Sequence, residues 1–113
     1  ALASIEKNRI TENQHFGVIS ADISNEKFIT ETLSRFTIDI GVPELLINSA
    51  GVVHPGLIED LPIDIFRQMI EINYLGTVHV VKVLLPGMLL RGSGYIVNIS
   101  SIAGFIGIYG YSA

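Results

Sequence analysis

The sequence predicts an α/β fold, a section of a doubly wound parallel sheet, and three observations carry that prediction. Short β-type runs alternate with longer stretches of helical period along the 113 residues, the order that βαβ crossovers produce. The two clearest runs, in ELLINSAG at 44–51 and YIVNI at 95–99, hold consecutive large apolar residues, as suits strands covered on both faces. Each run closes on small or polar residues, and in such sheets ligands gather at the carboxyl ends of strands. Attention therefore falls on Asp22, on Asn48 to Gly51, and on Ser100 and Ser101.

Taken in order, Leu2, Ile5 and Glu6 to Arg9 read as the tail of an amphipathic helix, followed by the polar stretch TENQH. Phe16, Val18, Ser20 and Ala21 form an extended run over 16–21 that closes on Asp22. Ser24 is placed to cap a helix with Lys27 to Ile38 as its body, and Phe28, Leu33 and Phe36 supply its buried stripe. Gly41 and Pro43 break that helix. The strand in ELLINSAG runs into a loop that continues to about Asp60. Pro62 suits the first position of a helix, and Ile65, Phe66, Met69, Ile70, Leu75, Val78 and Val81 recur at helical period through about Arg91. RGSG turns the chain into the run Tyr95 to Ile99.

Composition narrows the functions. With 49% hydrophobic residues the chain can bury a core, so disorder is excluded. A formal charge of -4 with no basic block offers no electrostatic footprint for nucleic acid or anionic lipid. No cysteine is present, and His15, His54 and His79 are too scattered for a metal cluster, so no metal site is expected. The most apolar stretch, Val78 to Leu90, is interrupted by His79, Lys82 and Pro86 and falls short of the ~20 residues that cross a bilayer. It reads as a buried helix, and no membrane span is expected. The first residues contain no signal peptide and read as the interior of a longer protein.

The candidate residues have plain physical readings. A carboxylate at a strand end, as at Asp22, can accept a hydrogen bond from an adenine amine, or can cap the next helix together with Ser24. Small residues in Asn48-Ser49-Ala50-Gly51 allow a dinucleotide close to the backbone, or simply punctuate a strand. Asn73 lies within a helical run, where a solvated face is the ordinary place for it. Ser100 and Ser101 follow a strand, where a serine pair is often a helix cap.

In combination, ADIS (21–24), LLINSAG (45–51), IEINYLGT (70–77) and YIVNISSIAG (95–104) resemble the short-chain dehydrogenase/reductase family over essentially the whole chain. In detail the pattern is most similar to the branch that reduces 3-ketodihydrosphingosine. The resemblance implies about strands 3 to 5 of a Rossmann fold, so that residues 1–113 are part of an NAD(P)-binding domain. It assigns Asp22 and Ile23 to the adenine side of the cofactor, and Asn48, Ala50 and Gly51 to the cofactor as well. Ser49 departs from the usual Asn-Asn-Ala-Gly. Asn73 takes the place of the asparagine that orients a catalytic lysine through its backbone, and Ser101 that of the serine that polarises the substrate carbonyl.

Two family motifs are not in this sequence. The glycine-rich phosphate motif is absent, as is the second strand, whose end selects NAD or NADP. Tyr-x-x-x-Lys is absent too: Tyr74, Tyr95 and Tyr109 have no lysine four residues on, and Tyr111 lies too near the end. The catalytic tyrosine, which needs a neighbouring lysine to work near neutrality, is expected about 13 residues after the serine. That leaves either the residue following Ala113 or Tyr111 itself. The implied function is reduction of a ketone with NADP, or with NAD, in a complete protein; these residues alone are expected to be inactive. A 3-oxoacyl or steroid reductase, or a non-catalytic Rossmann-type scaffold, are the alternatives. The resemblance further implies a small ketone or alcohol substrate of lipid-like character, a homo-oligomer, and a location in the cytoplasm or on the cytosolic face of the endoplasmic reticulum.

Overall fold

The computed structural model describes Thr11 and residues 17–113. The expected helix tail at Leu2 to Arg9 and the start of the first run at Phe16 lie outside the described residues. Helix α1 spans Glu26–Asp39, strand β1 Leu45–Asn48 and helix α2 Ile63–Ile70. A π-helical segment, Glu71–Leu75, joins α2 directly to α3, Gly76–Arg91; strand β2, Tyr95–Asn98, and a short 3-10 turn, Ile102–Gly104, follow.

β1 and β2 form a two-stranded parallel sheet in which Leu45 is opposite Tyr95 and Asn48 opposite Asn98. Bonds from Tyr95 N to Glu44 O and from Ile99 N to Asn48 O, both 2.8 Å, extend the ladder at each end. Residues 17–22 carry no strand, contrary to the expectation for 16–21. In the doubly wound order the third and fourth strands are separated by two others, so this run has no ladder partner in β1. The strands are also not covered on both faces. Leu46 and Ile96 are half-buried on one face, whereas Leu45, Ile47, Tyr95 and Val97 on the other are exposed.

α1 is capped by Asn25, whose side chain accepts from Phe28 N at 3.0 Å, not by Ser24. Its buried anchor is Ile29 and not Phe28, which is exposed; Leu33 and Phe36 are half-buried as the expected stripe requires. Pro62 sits at the N-cap of α2 with extended ψ, one position before the first helical residue. α3 ends at Gly92, whose left-handed φ of 73° lets Ser93 N reach Met88 O at 3.2 Å, the bond that closes a Schellman turn. The adjoining Arg91 guanidinium donates to Val42 O at 2.7 Å and Pro43 O at 2.8 Å, fastening the end of α3 to the chain that enters β1.

Ile29, Met69, Leu84 and Met88 are the buried apolar residues among those described, and α1 packs on α3. The continuous helix Ile63–Arg91 is long and apolar enough by length and composition to cross a membrane, more than its apolar stretch at Val78 to Leu90 suggested. Met69, Gly76, Leu84 and Met88 are buried on it, Gly76 against Ile23 and Met88 against Gly94, but the rest of the helix is half-buried or exposed, short of the buried helix expected.

Candidate active site

The carboxyl ends of β1 and β2 lie side by side because the strands are parallel and in register. Asn48 is 7% exposed and donates from its amide to Asn98 Oδ1 at 2.8 Å. An amide buried this deeply needs a partner, and the partner here ties the two strand ends together. Asn48 therefore lies beneath the site, while Ser49, Ala50 and Gly51, one to three residues on, line an open cleft of about 740 Å³.

Asn73 reaches the same cleft from the π-helical segment. Its Oδ1 accepts from Val52 N at 2.8 Å and its Nδ2 donates to Val52 O at 2.9 Å, so the side chain binds one residue's backbone at both ends. Asn73 is exposed, as the plain reading places it, and its side chain is in addition held to the Val52 backbone. Its helix explains the placement. Gly76 N bonds to Glu71 O, five residues back, and the wider turn breaks the regular i to i−4 ladder at Asn73. π-helical turns of this kind occur often at functional sites.

Ser101 is the N-cap of the 3-10 turn, and its Oγ accepts from Ala103 N at 3.2 Å. A hydroxyl has one hydrogen to donate and two lone pairs, so this bond leaves the hydrogen available toward the cleft that Ser101 lines. The cap and the carbonyl-polarising roles are therefore compatible. Two distant loops meet at one side of the cleft: Gly56 N donates to Gly110 O at 2.7 Å, and Gly56 forms a parallel bridge with Tyr111. Tyr111 and Ala113 both line the cleft.

Asp22 lies apart, in a shallow surface depression with Ser20, Ala21, Asn25 and Phe28. Its Oδ1 accepts from Ser24 Oγ at 2.7 Å and Ser24 N at 3.0 Å. The Ser24 hydroxyl first, and then the Ser24 amide, hold the Asp22 carboxyl below its ordinary value. Asp22 thus orders the turn before α1 without capping it, and its Oδ2 has no partner among the described residues. Ile23 faces inward against Gly76.

The structure thus brings Ala50, Gly51, Asn73 and Ser101 to one cleft, places Asn48 under it, and sets Asp22 and Ile23 at a separate depression. Sequence reasoning missed Asn98, Asn25 and the backbone of Val52. Asn98 had a signal: LLIN and YIVN each end on asparagine, and an in-register parallel pair makes the two face one another. Among the described residues no group of His, Cys, Asp or Glu could hold a metal.

Parallel strands joined by a helical crossover, with the polar residues and a cleft at their carboxyl ends, define an α/β domain of the dinucleotide-binding type. The family model for short chain dehydrogenases matches residues 1–113. The 3-ketodihydrosphingosine reductase of Bos taurus is 34% identical over 114 residues, covering all of this chain and 34% of the relative. Among solved structures, ElxO with NADP bound superposes with a TM-score of 0.79 at 31% identity, covering 84% of this chain and 39% of that one. NAD+-bound xylitol dehydrogenase gives 0.77 at 29% identity, covering 83% and 36%. The chain belongs to the short chain dehydrogenase family, and it spans about a third of the length of the curated relative it matches.

Proposed function

We propose that the complete protein carrying this chain reduces a ketone to a secondary alcohol with a nicotinamide dinucleotide. Its preferred substrate is a 3-keto sphingoid base such as 3-ketodihydrosphingosine, and its preferred cofactor is NADPH. The observation that carries the reading is the convergence of Ser101, Asn73, Ala50 and Gly51 on one cleft at the strand ends. Small side chains at 50 and 51 leave room for a flat ring against the backbone, and the Ser101 hydroxyl has a hydrogen to give. The cofactor, when bound, supplies the hydride.

The chain's own part is to hold and polarise. The Ser101 hydroxyl donates to the substrate carbonyl oxygen and stabilises the negative charge that develops there as the carbonyl is reduced. Asn73, locked to Val52, fixes the π-helical backbone against the loop after β1, keeping one wall of the cleft in place. On the adenine side, the Asp22 carboxylate would hold the exocyclic amine through the oxygen that Ser24 leaves unbonded, since Oδ1 is held by Ser24. Apolar Val52, Val53, Ile106 and Ile108 in the cleft wall suit an alkyl substituent on the ketone. The 113 residues by themselves do not turn over, the protein acts as a homo-oligomer, and its place is the cytoplasm or the cytosolic face of the endoplasmic reticulum.

The test follows NADPH oxidation by the complete protein against a 3-keto sphingoid base, a 3-oxoacyl thioester and a steroid ketone. Turnover is expected to favour the first, and Ser101→Ala to lower kcat about 10²-fold. Full turnover by Ser101→Ala would remove Ser101 from the chemistry.

A further inference from the structure

His79 lies on α3 one turn after Gly76, so the two residues share a helix face. That face holds Ile23 at two points. A Cβ on Gly76 would lie 2.8 Å from Ile23 Cγ2, so only glycine lets the isoleucine seat this closely. His79 Nδ1 lies 3.2 Å from the Ile23 carbonyl oxygen and is part-buried. A carbonyl oxygen only accepts, so Nδ1 carries the hydrogen and donates it. Side chain and carbonyl of one residue are therefore both fixed to α3.

Ile23 is the middle of a short turn. On either side of it, Asp22 Oδ1 accepts from the Ser24 amide and hydroxyl, and Asn25 N donates to Asp22 O at 3.1 Å. Fixing Ile23 fixes where this turn stands relative to the helix, and with it the Asp22 carboxylate at the depression beside Phe28. One turn further along α3, Lys82 approaches Glu26 at 3.9 Å. Both of those side chains are exposed, so that pair adds little. The His79 bond is the directional link between α3 and the turn.

We propose that His79 is a positioning residue for dinucleotide binding, holding the Ile23 carbonyl and so setting the Asp22 carboxylate in place for the adenine ring. The inference rests on the reading of Asp22 as the adenine acceptor. Its test uses the complete protein and two reductants: NADPH, and reduced nicotinamide mononucleotide, which has no adenine. His79→Leu, which cannot donate, should raise KM for the dinucleotide about tenfold with kcat unchanged and leave kcat/KM for the mononucleotide as in wild type. His79→Asn, whose Nδ2–H stands near the position of Nδ1–H, should stay within about twofold of wild type. In an Asp22→Ala background His79→Leu should have no further effect on KM.

Equal losses with both reductants, or a loss in His79→Leu that asparagine does not restore, would make His79 a general packing residue and overturn the proposal. If His79→Leu does not fold, the same comparison is made with His79→Gln, whose donor is displaced by one bond and which should also raise the dinucleotide KM. An unchanged KM in a folded variant beside a raised one in Asp22→Ala overturns the His79 assignment alone. An unchanged KM in Asp22→Ala removes the adenine reading itself.

Discussion

Single side chains at the cleft and at the Asp22 depression use only part of their hydrogen-bonding capacity on structure. Ser101 caps a turn with one lone pair and keeps its hydrogen; Asp22 orders a turn with Oδ1 and keeps Oδ2. For Asp22 this sharing sets a pH dependence. Its two bonds from Ser24 depress the folded pKa, so the carboxylate form persists to lower pH than in the unfolded chain. The contribution of those bonds is present above the ordinary aspartate value of ~3.9 and is lost only as pH falls through the lower folded value. Dinucleotide affinity should therefore show no titration from Asp22 between about pH 5 and 9. Equilibrium binding followed by nicotinamide fluorescence should give Asp22→Asn the same pH profile as wild type over that range, with weaker binding at every point. A profile that flattens in Asp22→Asn would place the carboxyl pKa inside the range.

At the scale of elements, the caps and the π-helical segment determine where the site residues point. Asn25 and not Ser24 closes the first turn of α1. In denaturant melts of the complete protein, Asn25→Ala should cost about 1 kcal/mol. Ser24→Ala should cost less and act mainly through Asp22; the reverse order would return the cap to Ser24. The sequence could not separate the two, since Asp-Ile-Ser-Asn offers capping side chains at three of four positions and only backbone geometry selects one. Of the expected stripe Leu33 and Phe36 are half-buried, while Phe28 is exposed and the neighbouring Ile29 is buried in its place. The helix over 63–91 was legible from its apolar period, but the π-helical segment was not. One wide turn shifts the register by a residue without leaving a composition signal, which is why the bond from Asn73 to the Val52 backbone could not be read.

Across the whole molecule, the parallel pairing and the clustering at strand ends were legible, because both follow from alternation of elements and from where polar residues interrupt apolar runs. The strand at 16–21 and the burial of both sheet faces were not, since each depends on neighbouring strands and helices and not on the run itself. Leu45, Ile47, Tyr95 and Val97 make an exposed apolar sheet face beside the cleft. The central claim, that the cleft at the ends of β1 and β2 is where a ketone receives a hydride, is tested most directly by isotope transfer. The complete protein would be incubated with 3-ketodihydrosphingosine and NADPH deuterated at the transferable C4 position, and the alcohol analysed by mass spectrometry. One deuterium on the carbinol carbon, formed far more slowly by Ser101→Ala, is the predicted result. An alcohol without deuterium, or no consumption of NADPH with any ketone offered, would contradict it.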